Sequence, residues 1–128
     1  MLKGLAHADD ARLAREAGVD GIIVSNHGGR QLDGAHSSIA MLPKIVDAVG
    51  DRVEVHMDGG IRSGQDVLKA VALGARGTYI GRPFLYGLGA DGKQGVTTAL
   101  EIIRKEMDIS MALCGKRLIT DVDRSILA

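Results

Sequence analysis

Apolar positions along this chain fall into short runs separated by polar, glycine-rich stretches. Residues 21–24 (Gly-Ile-Ile-Val) form a continuous apolar run rich in β-branched side chains. The run does not alternate, which predicts a strand buried on both faces, as in a parallel sheet. Residues 53–57 and 77–80 predict further strands, and Met1–Lys3 reads as the tail of another. Helical patterns lie between them. Over 8–17, Ala11, Leu13, Ala14 and Ala17 make an apolar stripe, acids occupy the first turn and Gly18 supplies a stop. Residues 42–49 predict a helix with Pro43 in its first turn, and 64–73 a helix closed by Gly74. After a tight turn at Gly81–Pro83 come a short helix over 84–90, a long amphipathic helix over 95–107 and a further one over 108–115.

Strands alternating with helices through short loops predict a parallel sheet with right-handed crossovers. Residues 17–24 and 73–80 share a helix-stop glycine, a strand-opening glycine and a β-branched strand, two βα units apart. An open doubly wound sheet and a (β/α)₈ barrel both fit this order. The open sheet is expected to carry a G-x-G-x-x-G turn after its first strand, and no such turn follows the first strand here. A closed barrel takes about 250 residues. The 128 residues here therefore predict an α/β fold amounting to half a barrel, with residues 1–128 as one unit.

Composition narrows the function classes. Lys plus Arg and Asp plus Glu are 16 each, a balance that argues against nucleic acid as a partner. Hydrophobic content of 45% and charged content of 25% exclude a disordered chain. No apolar run approaches the roughly 20 residues of a spanning helix, and the polar start (Lys3, His7, Asp9, Asp10) does not read as a secretory signal. A single cysteine, Cys114, fits a reducing compartment, and the expectation is a cytoplasmic protein. Four histidines and one cysteine show no metal-ligand spacing, so no metal is expected. Glycine is abundant, 18 of 128, while Phe84, Tyr79 and Tyr86 are the sole aromatics. The core is then aliphatic, and the glycines have positional roles.

The polar residues follow the strands. Ser25, Asn26, His27 and Arg30 come after one, Asp58, Gly59, Gly60 and Arg62 after the next, and Gly81 and Arg82 after the third; Lys3 ends the first. All four groups therefore fall on the carboxyl edge of the sheet, where barrel enzymes place their sites. Gly59, Gly60 and Gly81 allow close backbone approach, helices start nearby, and Arg62 and Arg82 add guanidinium groups. That combination predicts a phosphate site. Arg30 offers a fork for a carboxylate and His27 a group that moves protons near neutral pH. Together they suit proton removal beside a carboxylate.

These stretches carry a specific resemblance. L-K-G at 2–4, G-I-I-V-S-N-H-G-G-R-Q-L-D at 21–33, D-G-G-I-R at 58–62, G-R-P at 81–83 and M-A-L-C-G at 111–115 resemble the C-terminal half of the FMN-dependent α-hydroxy-acid oxidases and dehydrogenases. The resemblance implies the C-terminal half of a TIM barrel, FMN as cofactor, and oxidation of an L-2-hydroxy acid to a 2-oxo acid. It implies His27 as the catalytic base and a substrate contact, and Arg30 as the substrate-carboxylate ligand. It further implies Lys3 beside the flavin N1–O2 edge and Ser25 as a flavin-ring contact. Asp58, Gly59, Gly60, Ile61, Arg62, Gly81 and Arg82 would form the ribityl-phosphate site.

The resemblance also implies an N-terminal half that these residues do not contain. A half-barrel leaves parallel edges unpaired. The expectation is pairing with another copy or with the missing half, or disorder near 1–5 and over 26–38. Other residues are given structural readings. His56 is read as a packed or hydrogen-bonded strand residue, His7 as the start of the first helix and His36 as a loop end. Met41, Met107, Met111 and Cys114 are read as packing, and Glu101 to Asp108 as a solvated helix face.

Overall fold

The computed structural model describes residues 1–127. Four parallel strands, β1 (Leu2–Leu5), β2 (Gly21–Val24), β3 (Glu54–Met57) and β4 (Gly77–Thr78), lie in the order β1-β2-β3-β4. Helices α1 (Ala8–Glu16), α2 (Ser38–Val49) and α3 (Gly64–Ala72) connect them, and α4 (Arg82–Leu113) follows. Sequential strand order with a helix in every connection is the (β/α) arrangement expected of part of a barrel.

One face of the sheet holds the core. Ile22, Val24, Val55 and Met57 point there and bury against Ala11 of α1 and Leu42 and Ile45 of α2. The other face carries Lys3, Ile23 and His56, which are neighbours in register, with Tyr79 beyond them. This face stays partly open: Tyr79 is 42% exposed and Glu54 is exposed. α3 packs on α4 through a second apolar cluster of Leu68, Ala72, Met111 and Val122. Gly64 sits so close to α4 that an added Cβ would collide with the Met107 backbone nitrogen.

Several boundaries differ from expectation. The first strand runs on to Leu5 and pairs with β2, with a register irregularity between Lys3 and Leu5 where Gly4 takes φ +95°. α2 begins at Ser38, not at residue 42, because extended Ser37 is its N-cap; Pro43 therefore lies in the second turn. Ser38 is almost fully buried. β4 is two residues long, although the Tyr79 amide still donates to the Met57 carbonyl. α4 begins at Arg82 and is interrupted at Asp91 and Gly92, after which one helix runs unbroken to Leu113. The break expected between residues 107 and 108 is not there. The interruption brings Gly87 against Gly95, too close for a Cβ on either. Cys114 is exposed at the end of α4 rather than packed. His7 caps α1, accepting a hydrogen bond from the Asp9 amide at 3.2 Å. No helix among the described residues is long and apolar enough to cross a membrane.

Candidate functional site

β1, β2 and β3 end in parallel, and the residues at or just past their ends meet. The Lys3 ammonium lies 2.8 Å from Asp58 Oδ2 and donates to Ser25 Oγ at 3.0 Å. The irregularity at Gly4 is of the kind that re-aims a side chain at a sheet edge. Ser25 is buried at the strand end, 3% exposed, and its Oγ also accepts the His27 amide at 3.1 Å.

His27 opens a short 3₁₀ turn, His27–Gly29, with φ +55°. It is the one non-glycine with positive φ among the described residues. Such a conformation persists only where the surroundings hold it, and it clusters at functional sites. The loop is tied from several sides. Asn26 Oδ1 accepts the Gly28 amide at 3.0 Å, Asn26 Nδ2 donates to the His36 carbonyl, and the Asn26 amide donates to Ser38 Oγ at 3.2 Å. Gly59, at φ +88°, fits against this anchor: a Cβ would stand 2.9 Å from Ser38 Oγ and 3.1 Å from Asn26 Oδ1.

A cleft of about 260 Å³ opens on this edge. Lys3, His27 and Arg30 line it from one side, Asp58, Gly59, Gly60, Ile61 and Arg62 from the next, and Tyr79, Ile80, Gly81, Arg82, Pro83 and Leu85 from the third. Ten of the eleven residues singled out from the sequence thus share one cavity; Ser25 sits beneath it. The loops touch: a Cβ on Gly28 would lie 3.6 Å from Arg82 Nη2. Arg30, Arg62 and Arg82 have no ion-pair partner among the described residues. Asp58 Oδ1 is buried and has no hydrogen-bond partner among the described residues. Buried polar atoms are normally satisfied, so the cleft offers guanidinium donors for an anion and one carboxylate oxygen for a hydroxyl or N–H donor.

One sequence expectation needs correction. The amides of Arg62, Ser63, Gly64 and Asp66 at the start of α3 are taken up by protein side chains and are not free for a ligand. Arg62 and Ser63 donate to Asp66 Oδ2 at 3.0 Å, Gly64 donates to Glu106 Oε2 at 3.0 Å, and Asp66 donates to Ser63 Oγ at 3.2 Å. This is a closed capping box. The backbone donors left toward the cleft come from Gly59 to Ile61 and from Gly81 and Arg82, none of which has a protein acceptor among the described residues.

Sequence reasoning passed over Ser38, Tyr79, Ile80, Pro83 and Leu85. Tyr79 and Ile80 had a usable signal, since they end the strand that precedes Gly81. Ser38 had none, because its contact is with Asn26 across the loop. His56 pairs with Glu54 at 3.4 Å, and its ring centroid lies 5.8 Å from that of Tyr79, in keeping with a hydrogen-bonded strand histidine.

A parallel sheet with helical crossovers and its polar side chains gathered at the carboxyl edge defines a β/α-barrel type of protein. Its affiliation is narrower than that. The sequence profile of the FMN-dependent dehydrogenase family matches residues 1–128, and the chain belongs to that family, whose cofactor is FMN. It is 54% identical over 128 residues to an L-lactate dehydrogenase of Caulobacter sp. (strain K31), covering 100% of this chain and 34% of that protein. It is 49% identical over 127 residues to 2-hydroxyacid oxidase 1 of Mus musculus, covering 99% of this chain and 34% of that protein. A mandelate oxidase crystal structure superposes with a TM-score of 0.93 at 51% identity, over 96% of this chain and 36% of that one. The chain spans about a third of the length of these curated relatives.

Proposed function

We propose that residues 1–128 are the C-terminal half of a barrel that oxidises an L-2-hydroxy acid, lactate-like in size, to a 2-oxo acid with FMN. The observation that carries this reading is the convergence of the three loops on one cleft, with Arg82 against Gly28 and His27 and Arg30 on its wall. The residues present fit FMN. Unpaired Arg62 and Arg82, with the backbone of Gly59, Gly60, Ile61 and Gly81, suit its phosphate. The orphaned Asp58 Oδ1 suits a ribityl hydroxyl. FMN supplies a two-electron acceptor.

The remaining steps belong to this chain. Arg30 binds the substrate carboxylate through a two-pronged guanidinium. His27 accepts the proton released from Cα or from the hydroxyl as the alcohol carbon is oxidised. Lys3, held by Asp58 and Ser25, presents a positive charge at the floor of the cleft, and Ser25 would lie next to the flavin ring of bound FMN. A preset cation of this kind stabilises negative charge as it develops.

The partly open sheet face and the unpaired edges of β1 and β4 support a second component of the reading. The remaining strands of the barrel come from further polypeptide, either the rest of a longer chain or a second copy. A non-catalytic half that retains phosphate or FMN binding is the competing reading, and the same open face favours it. Titrating the purified chain with FMN separates the two. Quenched flavin fluorescence followed by bleaching with L-lactate under argon is expected. Binding without bleaching supports the non-catalytic half, and no binding refutes both. His27→Gln is expected to abolish bleaching while FMN stays bound; unchanged bleaching removes His27 as the base.

A further inference from the structure

We infer that Ser25 is a positioning residue that locks Lys3 and His27 to one another. The inference rests on the roles given above to those two residues. Ser25 is the first residue past β2, and its amide continues the ladder to the Leu5 carbonyl at 3.4 Å. It is 3% exposed, so its oxygen is fixed by the sheet. That single oxygen accepts the Lys3 ammonium at 3.0 Å and the His27 amide at 3.1 Å. A hydroxyl has two acceptor lone pairs, and both are used.

The two arms need such an anchor for different reasons. Lys3 is a long flexible side chain, 46% exposed, with an ammonium free to turn among partners. His27 holds a left-handed backbone at φ +55° that a non-glycine adopts only under constraint. Asp58 also holds Lys3, but no hydrogen bond links Asp58 to His27 among the described residues. Among the described residues, Ser25 Oγ is therefore the one atom hydrogen-bonded to both the cationic floor of the cleft and its basic wall. Removing the hydroxyl leaves the Lys3–Asp58 pair and the Asn26 contacts intact and frees the His27 amide. The distance between charge and base is then no longer set.

The test uses Ser25→Ala and Ser25→Thr, the second keeping the oxygen. In the ligand-free chain, amide hydrogen exchange at His27 is expected to speed up about tenfold in Ser25→Ala, the loss of one hydrogen bond to a held amide. It should stay slow in Ser25→Thr, with the Ile22 and Met57 amides unchanged in both. In the FMN-loaded chain, Ser25→Ala is expected to lower the rate constant of flavin reduction by L-lactate with little change in KM, and Ser25→Thr to restore it. Unchanged His27 exchange in Ser25→Ala overturns the inference. If Ser25→Ala does not fold, the unaltered chain decides: a His27 amide that exchanges at the unstructured rate overturns it, and a protected one upholds it. If the unaltered chain never bleaches FMN, the oxidoreductase reading fails, while the exchange result still decides the role of Ser25.

Discussion

The loops after β3 and β4 look alike on paper: each offers glycine, an arginine and a helix start. They are built in opposite ways. After β3, Asp66, Ser63 and Glu106 take up the amides at the start of α3, and Gly64 is wedged against α4. After β4, the start of α4 has no side-chain cap, the Gly81 Cα faces open space, and Arg82 leans toward Gly28. The first helix start is a structural joint and the second is open to a ligand. A helix N-terminus attracts anions through its unsatisfied amides, so the attraction has to be counted amide by amide. The β3 loop contributes to the cleft through Gly59 to Ile61 and the Arg62 side chain, not through the terminus of α3.

The contrast can be broken by substitution. The largest effect is expected from Gly64→Ala, whose methyl meets the α4 backbone; it should cost about 3 kcal/mol of stability in urea unfolding. Gly81→Ala should cost under about 1 kcal/mol, and equal costs would erase the distinction. Arg82→Ala should weaken FMN binding roughly tenfold or more in a fluorescence titration, as befits a lost charged hydrogen bond; an unchanged affinity would remove Arg82 from the phosphate site. Asp66→Ala should lower stability by about 1 kcal/mol through loss of the cap and leave FMN affinity unaltered, whereas a weaker FMN complex would put the α3 start back in the site.

The smallest effect lies in the C-terminal tail, where an Asp-Ser cap stands outside the cleft that gathers the site residues and serves as a control. Hydrogen bonds from the Ser125 hydroxyl, then from Lys116 and from the Ser125 amide, lower the Asp123 carboxyl from 3.8 to about 2. Its contribution to stability is present above the ordinary value and is lost as pH falls through about 2. Lys116→Met should move the Asp123 titration, followed by NMR, part of the way back toward 3.8.

What was legible in the sequence is local. α1 and α3 announce themselves through apolar stripes, first-turn acids and stop glycines, and β2 through its β-branched run. The rim placement of the cleft follows because each polar cluster succeeds a strand. Several misreadings are matters of distant partners. Ser38 is buried at the start of α2, where its hydroxyl accepts the Asn26 amide, and no local pattern encodes that contact. The closure of α3 depends on Glu106, a residue assigned to a solvated helix face. The double use of Ser25 requires Lys3 to arrive from another strand. The Asp91–Gly92 interruption was visible as a gap between two helical patterns, but the fusion beyond it was not, since nothing in Met107 or Asp108 marks a stop.

The raw borders of the sheet set the growth rules of any assembly. β1 and β4 differ, so one copy's last strand can be followed by another's first in parallel, head to tail. Such a junction repeats with a fixed rotation. If that rotation returns to its origin, the result is a sealed ring; if it does not, copies add without limit into a fibre. If a second copy rather than a longer chain completes the barrel, the curvature of four short strands decides between a closed ring and a fibre.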